Sequence, residues 1–309
     1  MSIGIKVSFL VVATGIFILG VLGNGFIGLV NCTEWVKTGK VSLADFILTN
    51  LALARIIHLL LTLLDSFIVG LAPHLYATGK LLKVVSVLWA LTNHLTIWFA
   101  TCLSIFYFLK IANFSYPYFL WLKWRVNRVV LLLFLGSLFL FSLNMFMHNA
   151  ASKYWLNTYK VYEINISLQL EENEIFYLKS LLPLSFTYVI PLFLSLTSLL
   201  LLFLSLVRHT KNFQLNLTVS GDSNTEAHRR AMKMVTAFLL LFIIYIISIV
   251  TASWISTKVL TFQVKMLVMM ISATFPSGHS FIIILGNSKL RQIALRLVWH
   301  LNSLRKAKR

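Results

Sequence analysis

NHLTIWFATCLSIFYFLKIANFS, residues 93–115, sets two signals side by side. Up to Leu109 the stretch completes an apolar run that begins at residue 84, and Lys110 ends it. At about 1.5 Å per residue, a helical run of this length matches a hydrocarbon core about 30 Å thick. Just beyond the lysine, Asn113-Phe114-Ser115 has the acceptor pattern for N-linked sugar. The side of the membrane this end faces decides whether that triplet is ever used.

Working outward, six more runs of similar character appear, over residues 7–30, 46–72, 126–147, 181–207, 231–256 and 264–285. The chain has 309 residues, of which 59% are apolar and 12% charged. Soluble domains run near about 45–50% apolar and about 25% charged, so this composition belongs to a membrane protein. The first run is too long for a signal-peptide core and is expected to stay in the protein as a spanning helix. The expected fold is all-α: one seven-transmembrane-helix bundle over residues 1–309. A short amphipathic helix over 288–304 follows it, on which Leu290, Ile293, Ala294, Leu297, Leu301 and Leu304 form an apolar stripe.

The net charge of +18 is informative through its placement. With the first loop taken as cytoplasmic, eighteen basic side chains fall on that side, eight on the other, and Arg55 within a span. The positive-inside tendency then predicts a multi-pass protein with its amino terminus outside and its carboxyl terminus inside. Charges distributed around the rims of a bundle argue against nucleic acid. In this orientation Asn113, Asn31 and Asn216 are cytoplasmic, and Asn165 of Asn-Ile-Ser is the sequon expected to carry sugar. The two cysteines, Cys32 and Cys102, are expected to be free thiols.

Catalysis finds no support. The eight histidines form no metal-binding pair of helical spacing, and there is no nucleophile elbow, phosphate loop or paired carboxylate in a helix. No metal and no cofactor are expected. What remains is a set of polar residues in apolar helices. Arg55, in LALARIIHLL, would cost roughly 3 to more than 10 kcal/mol if unpaired in the bilayer. It should face the bundle, with Asn24 of GNGFIGL as one partner, either as a structural lock or as a switch. Asp65 lies nearer the outer end of the same helix. Trp89 and Asn93 are four apart and share a face, and His94 is adjacent. Together these suit a small-molecule cavity, and they suit ordinary interhelical packing equally. Met266 and Met269 add adaptable apolar surface at the outer end of the seventh run, or fill core. Tyr245 is a lever beneath such a cavity or a buried tyrosine with a satisfied hydroxyl.

Several motifs occur together: LGNGFIGLVNC in the first run, NHLTIWFATCLS leading into FYFLKIANFS in the third, AHRRAMKMV opening the sixth, and FPSGHSFIIILGNSKLRQ in the seventh. In these the chain resembles the bitter taste receptors, the taste receptor type 2 family, along essentially its whole length. FYFLK stands where rhodopsin-like receptors close the third helix with Asp-Arg-Tyr, and HSFIIILGNSK stands where they carry Asn-Pro-x-x-Tyr.

The resemblance implies a G-protein-coupled receptor in which small bitter ligands meet Trp89 and Asn93, with Asp65 similarly placed. Met269 occupies a position that is polar in many relatives, which implies an apolar contact there. Asn24, Arg55, His279 and Ser280 take structural or switch positions. Tyr107 and Lys110 meet the α subunit of a heterotrimeric G protein of the gustducin and inhibitory class, although Lys110 also reads as a snorkelling anchor. Membrane lipid is the other expected partner. A transporter or channel is the alternative from another class, with Asp65, Asn93, His94 and Arg55 lining its route.

Overall fold

The computed structural model describes residues 3–76, 80–161, 189–208, 233–234, 236–245, 247–248 and 262–307. Among these there is no strand. The helices are α1 (Ile3–Thr38), α2 (Leu43–Leu71), α3 (Lys80–Ile111), α4 (Pro117–Trp124), α5 (Val126–Val161), α6 (Val189–Arg208), α7 (Thr236–Tyr245), α8 (Phe262–Gly286) and α9 (Ser288–Ala307). One 3₁₀ turn, Pro73–Tyr76, follows α2.

Five helices, α1, α2, α3, α5 and α6, are long and apolar enough to cross a membrane, and α7 and the Ala273–Gly286 part of α8 are shorter apolar segments. Each of the seven expected runs overlaps a helix among the described residues, while 181–188 and most of 246–256 lie outside them. α1 and α5 extend well past their apolar runs, because backbone hydrogen bonding continues where hydropathy stops. The amphipathic tail is helical, as its stripe predicts.

Local chemistry sets several ends. Gly39, at φ 64°, closes α1 with its N–H donating to the Trp35 carbonyl at 2.8 Å; this left-handed conformation favours glycine. Ser42 caps α2, its Oγ accepting from the Asp45 N–H at 3.1 Å and donating to Asp45 Oδ2 at 2.7 Å. The eight-residue α4, which hydropathy does not reveal, starts with Pro117 in its first turn, where a missing N–H costs nothing. Pro276 inside α8 removes the N–H that would bond the carbonyl of residue 272.

α3 is the axis of the bundle. Of the most apolar stretch of each span, 72% is buried in α3, 50% in α2, 28% in α1 and 11% in α5. One core joins Ile27, Leu48, Ile97, Phe242, Tyr245 and Phe275 across α1, α2, α3, α7 and α8. A second joins Ile105, Leu109, Phe119, Leu202 and Leu206 across α3, α4 and α6. α1 lies close against α8: a side chain at Gly20 would run into Ser277 and Leu59, and one at Gly23 into Ser280. Both cysteines are free, Cys32 exposed and Cys102 buried.

Candidate functional site

At the centre of the bundle lies Arg55 of α2, fully buried. One of its terminal nitrogens is hydrogen-bonded to His279 Nδ1 of α8. A guanidinium has only donors, so Nδ1 accepts and the imidazole carries its proton on Nε2. The guanidinium carbon sits 5.5 Å from the centre of the Phe275 ring, a cation–π distance. The expected pairing with Asn24 is corrected here. The Asn24 amide donates instead to the carbonyls of Gly20 at 2.8 Å and Pro276 at 3.3 Å. Proline at 276 cannot prevent this, because its carbonyl remains free to accept. Nε and Nη1 of Arg55 and Oδ1 of Asn24 are buried without a hydrogen-bond partner among the described residues. Ser280 Oγ donates to the Ser277 carbonyl at 2.6 Å and packs on Gly23.

Asn93 and Tyr245 form the next layer. The Tyr245 hydroxyl donates to Asn93 Oδ1, and both residues are buried. The tyrosine ring stacks on Phe275 at 4.5 Å with an interplanar angle of 21°. Phe275 in turn lies 5.5 Å from the His279 ring. A continuous line of contacts thus runs from Asn93 through Tyr245 and Phe275 to the Arg55–His279 pair.

Trp89 is half-buried one turn from Asn93 and lies 5.3 Å from His58 of α2. His58 Nδ1 is 3.2 Å from Thr92 Oγ1. His94 does not join this face. It packs 4.8 Å from Phe141 of α5 and 5.9 Å from Trp98, about 100° around α3 from Asn93. Asp65 is half-buried further along α2. Met266 and Met269 fall in α8, but their side chains lie outside the described residues, as does Asn165.

At the α9 end the bundle opens. A cavity of about 540 Å³ is lined by Ser104 and Tyr107 of α3, Leu202 of α6, Met234 and Phe238, His279 of α8 and Arg291 of α9. That volume is in the range of sites that bury a sizeable ligand or side-chain cluster. His279 belongs both to the cavity wall and to the Arg55 pair, so the buried cation is one side chain away from the opening. Lys110, at the end of α3, is exposed and does not line the cavity.

At the rim, Lys289 of α9 forms an ion pair with Glu34 of α1 and lies 3.3 Å from Asp45 and 3.4 Å from Asn31 Oδ1. Burial pulls its ammonium pKa down, but hydrogen bonds to Glu34 and Asp45 outweigh this, and the pKa ends above its ordinary value.

Of the residues expected from sequence, the structure brings Asn93, Tyr245, Arg55 and His279 into one line of contacts and puts Tyr107 with His279 in the cavity wall. Sequence reasoning did not single out His58, Phe275, Phe238 or Arg291. His58 carries a readable signal, three residues after Arg55 and so on the same face of α2. Phe275 and Phe238 are indistinguishable in sequence from ordinary core.

A helical bundle, pinned across its core by buried polar side chains and opened at one end, has the architecture of a seven-helix membrane receptor. The family model described as taste receptor protein (TAS2R) matches residues 1–302, and the chain belongs to that family. It is 52% identical to taste receptor type 2 member 42 of Papio hamadryas, over 96% of this chain and 95% of the relative. The same protein of Homo sapiens is also 52% identical over 96% and 95%. Taste receptor type 2 member 7 of Pongo pygmaeus is 42% identical over 99% and 96%. The chain is thus a multi-pass membrane receptor and not an enzyme.

Proposed function

We propose that the chain, acting as one receptor unit over residues 1–309, binds small bitter compounds at the end of the bundle opposite α9. It then activates a gustducin-like or inhibitory-class G protein at the α9 end. In this reading the amino terminus is extracellular, the carboxyl terminus is cytoplasmic, Asn165 carries sugar, and α9 lies along the inner leaflet.

The observation that carries the reading is the cavity of about 540 Å³ with Tyr107 in its wall and His279 at its inner limit. A G-protein α subunit presents a helix end to such a cleft, and His279 links the cleft to the contacts that lead up to Asn93. Agonists enter near Trp89, with Asp65 and the outer α8 methionines at the margin. Asn93 and Tyr245 are bonded to each other, so a ligand acts on this pair by changing its bond. The effect requires tighter binding to the active arrangement than to the resting one.

The test is calcium release in cells that express the chain with a gustducin-like chimeric α subunit, across a panel of bitter compounds. A response that needs the chimera and is lost in Trp89→Ala, at equal surface expression, supports the reading. A response that persists without any G protein overturns it in favour of transport.

A further inference from the structure

His58 of α2 is a buried histidine that neither the Arg55–His279 bond nor the open cavity uses. Its ring packs against the half-buried Trp89, with centres 5.3 Å apart and an interplanar angle of 45°. Its hydrogen bonding decides which ring nitrogen is left over. Nδ1 lies 3.2 Å from Thr92 Oγ1 of α3. The Thr92 hydroxyl has one proton, and that proton goes to backbone, to the Leu88 carbonyl at 2.9 Å or the Trp89 carbonyl at 3.1 Å. Thr92 Oγ1 therefore accepts from His58, and Nδ1 holds the proton of the neutral imidazole. Nε2 keeps a lone pair, and it is buried without a hydrogen-bond partner among the described residues. Buried acceptors in folded proteins nearly always have a partner.

The neighbours of this nitrogen are weighted toward acceptors. Asp65 stands seven residues further along α2, two turns outward and within about 20° of the same line. The side-chain carbonyl of Asn93 is already taken by Tyr245. A donor for Nε2 is thus what this corner lacks, and the half-exposed indole beside it is the surface on which a flat ring can lie.

We propose that His58 Nε2 is the hydrogen-bond acceptor at the floor of the agonist site, selecting flat aromatic agonists that carry an N–H or O–H at one edge. The inference rests on the reading that agonists bind at Trp89. The aromatic body packs on the indole in an offset or edge-on arrangement, and its edge donor reaches past the indole to the imidazole. Methylating that donor leaves Nε2 unmet and sets a methyl group against it. A site built to hydrogen-bond a donor discriminates against the analogue that lacks it.

The test uses matched pairs of bicyclic aromatics, one member with the donor and one with it methylated: indole and N-methylindole, naphthol and methoxynaphthalene, carbostyril and its N-methyl derivative. Each is titrated in the calcium assay and by thermal shift of the purified receptor, which reads binding without a G protein. In wild type the donor member should act at about three- to tenfold lower concentration than its partner. His58→Phe keeps a ring against Trp89 and removes both nitrogens, so it should bring the two members level. His58→Asn retains a donor for Thr92 but ends short of the Nε2 position, and should level them too. His58→Gln reaches that position with its amide and should restore part of the preference. A merely structural histidine would move both members together and leave their ratio alone. A ratio unchanged in His58→Phe and His58→Asn therefore overturns the proposal. Equal potency within every pair in wild type also overturns it, and points to an internal water as the partner of Nε2. So does failure of every donor-bearing member to shift the receptor at millimolar concentration. None of these results touches agonist binding at Trp89, which is overturned separately if Trp89→Ala responds to every bitter compound as wild type does.

Discussion

The hydroxyl of Tyr245 on α7 donates a hydrogen bond to the side-chain carbonyl of Asn93 on α3, in the fully buried middle of the bundle. Ring and amide together tie α3 to α7. Tyr245→Phe removes the donor of this bond and keeps the ring on Phe275, at a cost of about 0.5–1.5 kcal/mol. Thermal unfolding of the purified receptor should show that loss. Combining it with Asn93→Ala should cost less than the sum of the two single changes. Additive effects would show that the bond contributes nothing.

The Arg55–His279 pair predicts an asymmetry. His279→Ala strips a buried guanidinium of its acceptor, and losing one partner of a buried charge costs about 3–5 kcal/mol. Arg55→Gln removes the charge together with the bond, leaves a neutral imidazole, and costs about 1–3 kcal/mol. Surface expression and thermal midpoint should therefore fall further in His279→Ala than in Arg55→Gln. The reverse order would mean that the arginine is paired elsewhere.

Tyr107 and Lys110 stand three residues apart and separate cleanly by position. Tyr107 lines the cavity, and Lys110 is exposed outside it. At matched surface expression, Tyr107→Ala should lower G-protein activation about tenfold, equivalent to ~1.4 kcal/mol. Lys110→Ala should change it less. Agonist concentration–response curves read both.

A side chain at Gly23 of α1 would meet Ser280. Gly23→Val forces the helices apart and should cost about 1–3 kcal/mol, seen as loss of mature receptor at the cell surface. Gly23→Ala should be milder, and partly restored by Ser280→Gly.

The Lys289 clasp should be indifferent to pH around neutrality. Its pKa is raised above 10.5 in the folded chain, so its contribution is complete below that value and fades as pH rises through the raised one. The group is partly solvated, so the contribution is modest, up to ~1 kcal/mol. Hydrogen-exchange protection at the start of α9, taken relative to the base-catalysed intrinsic rate at each pH, should stay flat from neutral to mildly basic pH and fall in Lys289→Met at every pH.

The long apolar spans were legible because the bilayer demands such a segment for each crossing, and charged residues such as Lys110 and Arg125 stand at their ends. α4 was not legible. Eight residues rich in tyrosine and tryptophan are too short for a periodic signal, and only Pro117 hints at a start. Arg55 was correctly read as facing inward, because a charge has nowhere else to go. Its partner was not readable, since His279 lies 224 positions away and any buried acceptor would satisfy the same rule. For the same reason Asn93 and Tyr245, 152 positions apart, were each legible as buried polar residues but not as a pair. His94 was grouped with Asn93 by adjacency, although one step along a helix turns a side chain by about 100°.

The contrast in burial between α3 and α5 sets where this receptor has room to change. Most substitutions in the buried stretch of α3 press on several neighbours at once, so their effects will depend on what those neighbours already are. Along α5 many side chains are exposed, and there an apolar replacement meets fewer neighbours. On the proposed reading, new ligand preferences are most accessible at Trp89, where the central helix is only half covered and its constraints relax.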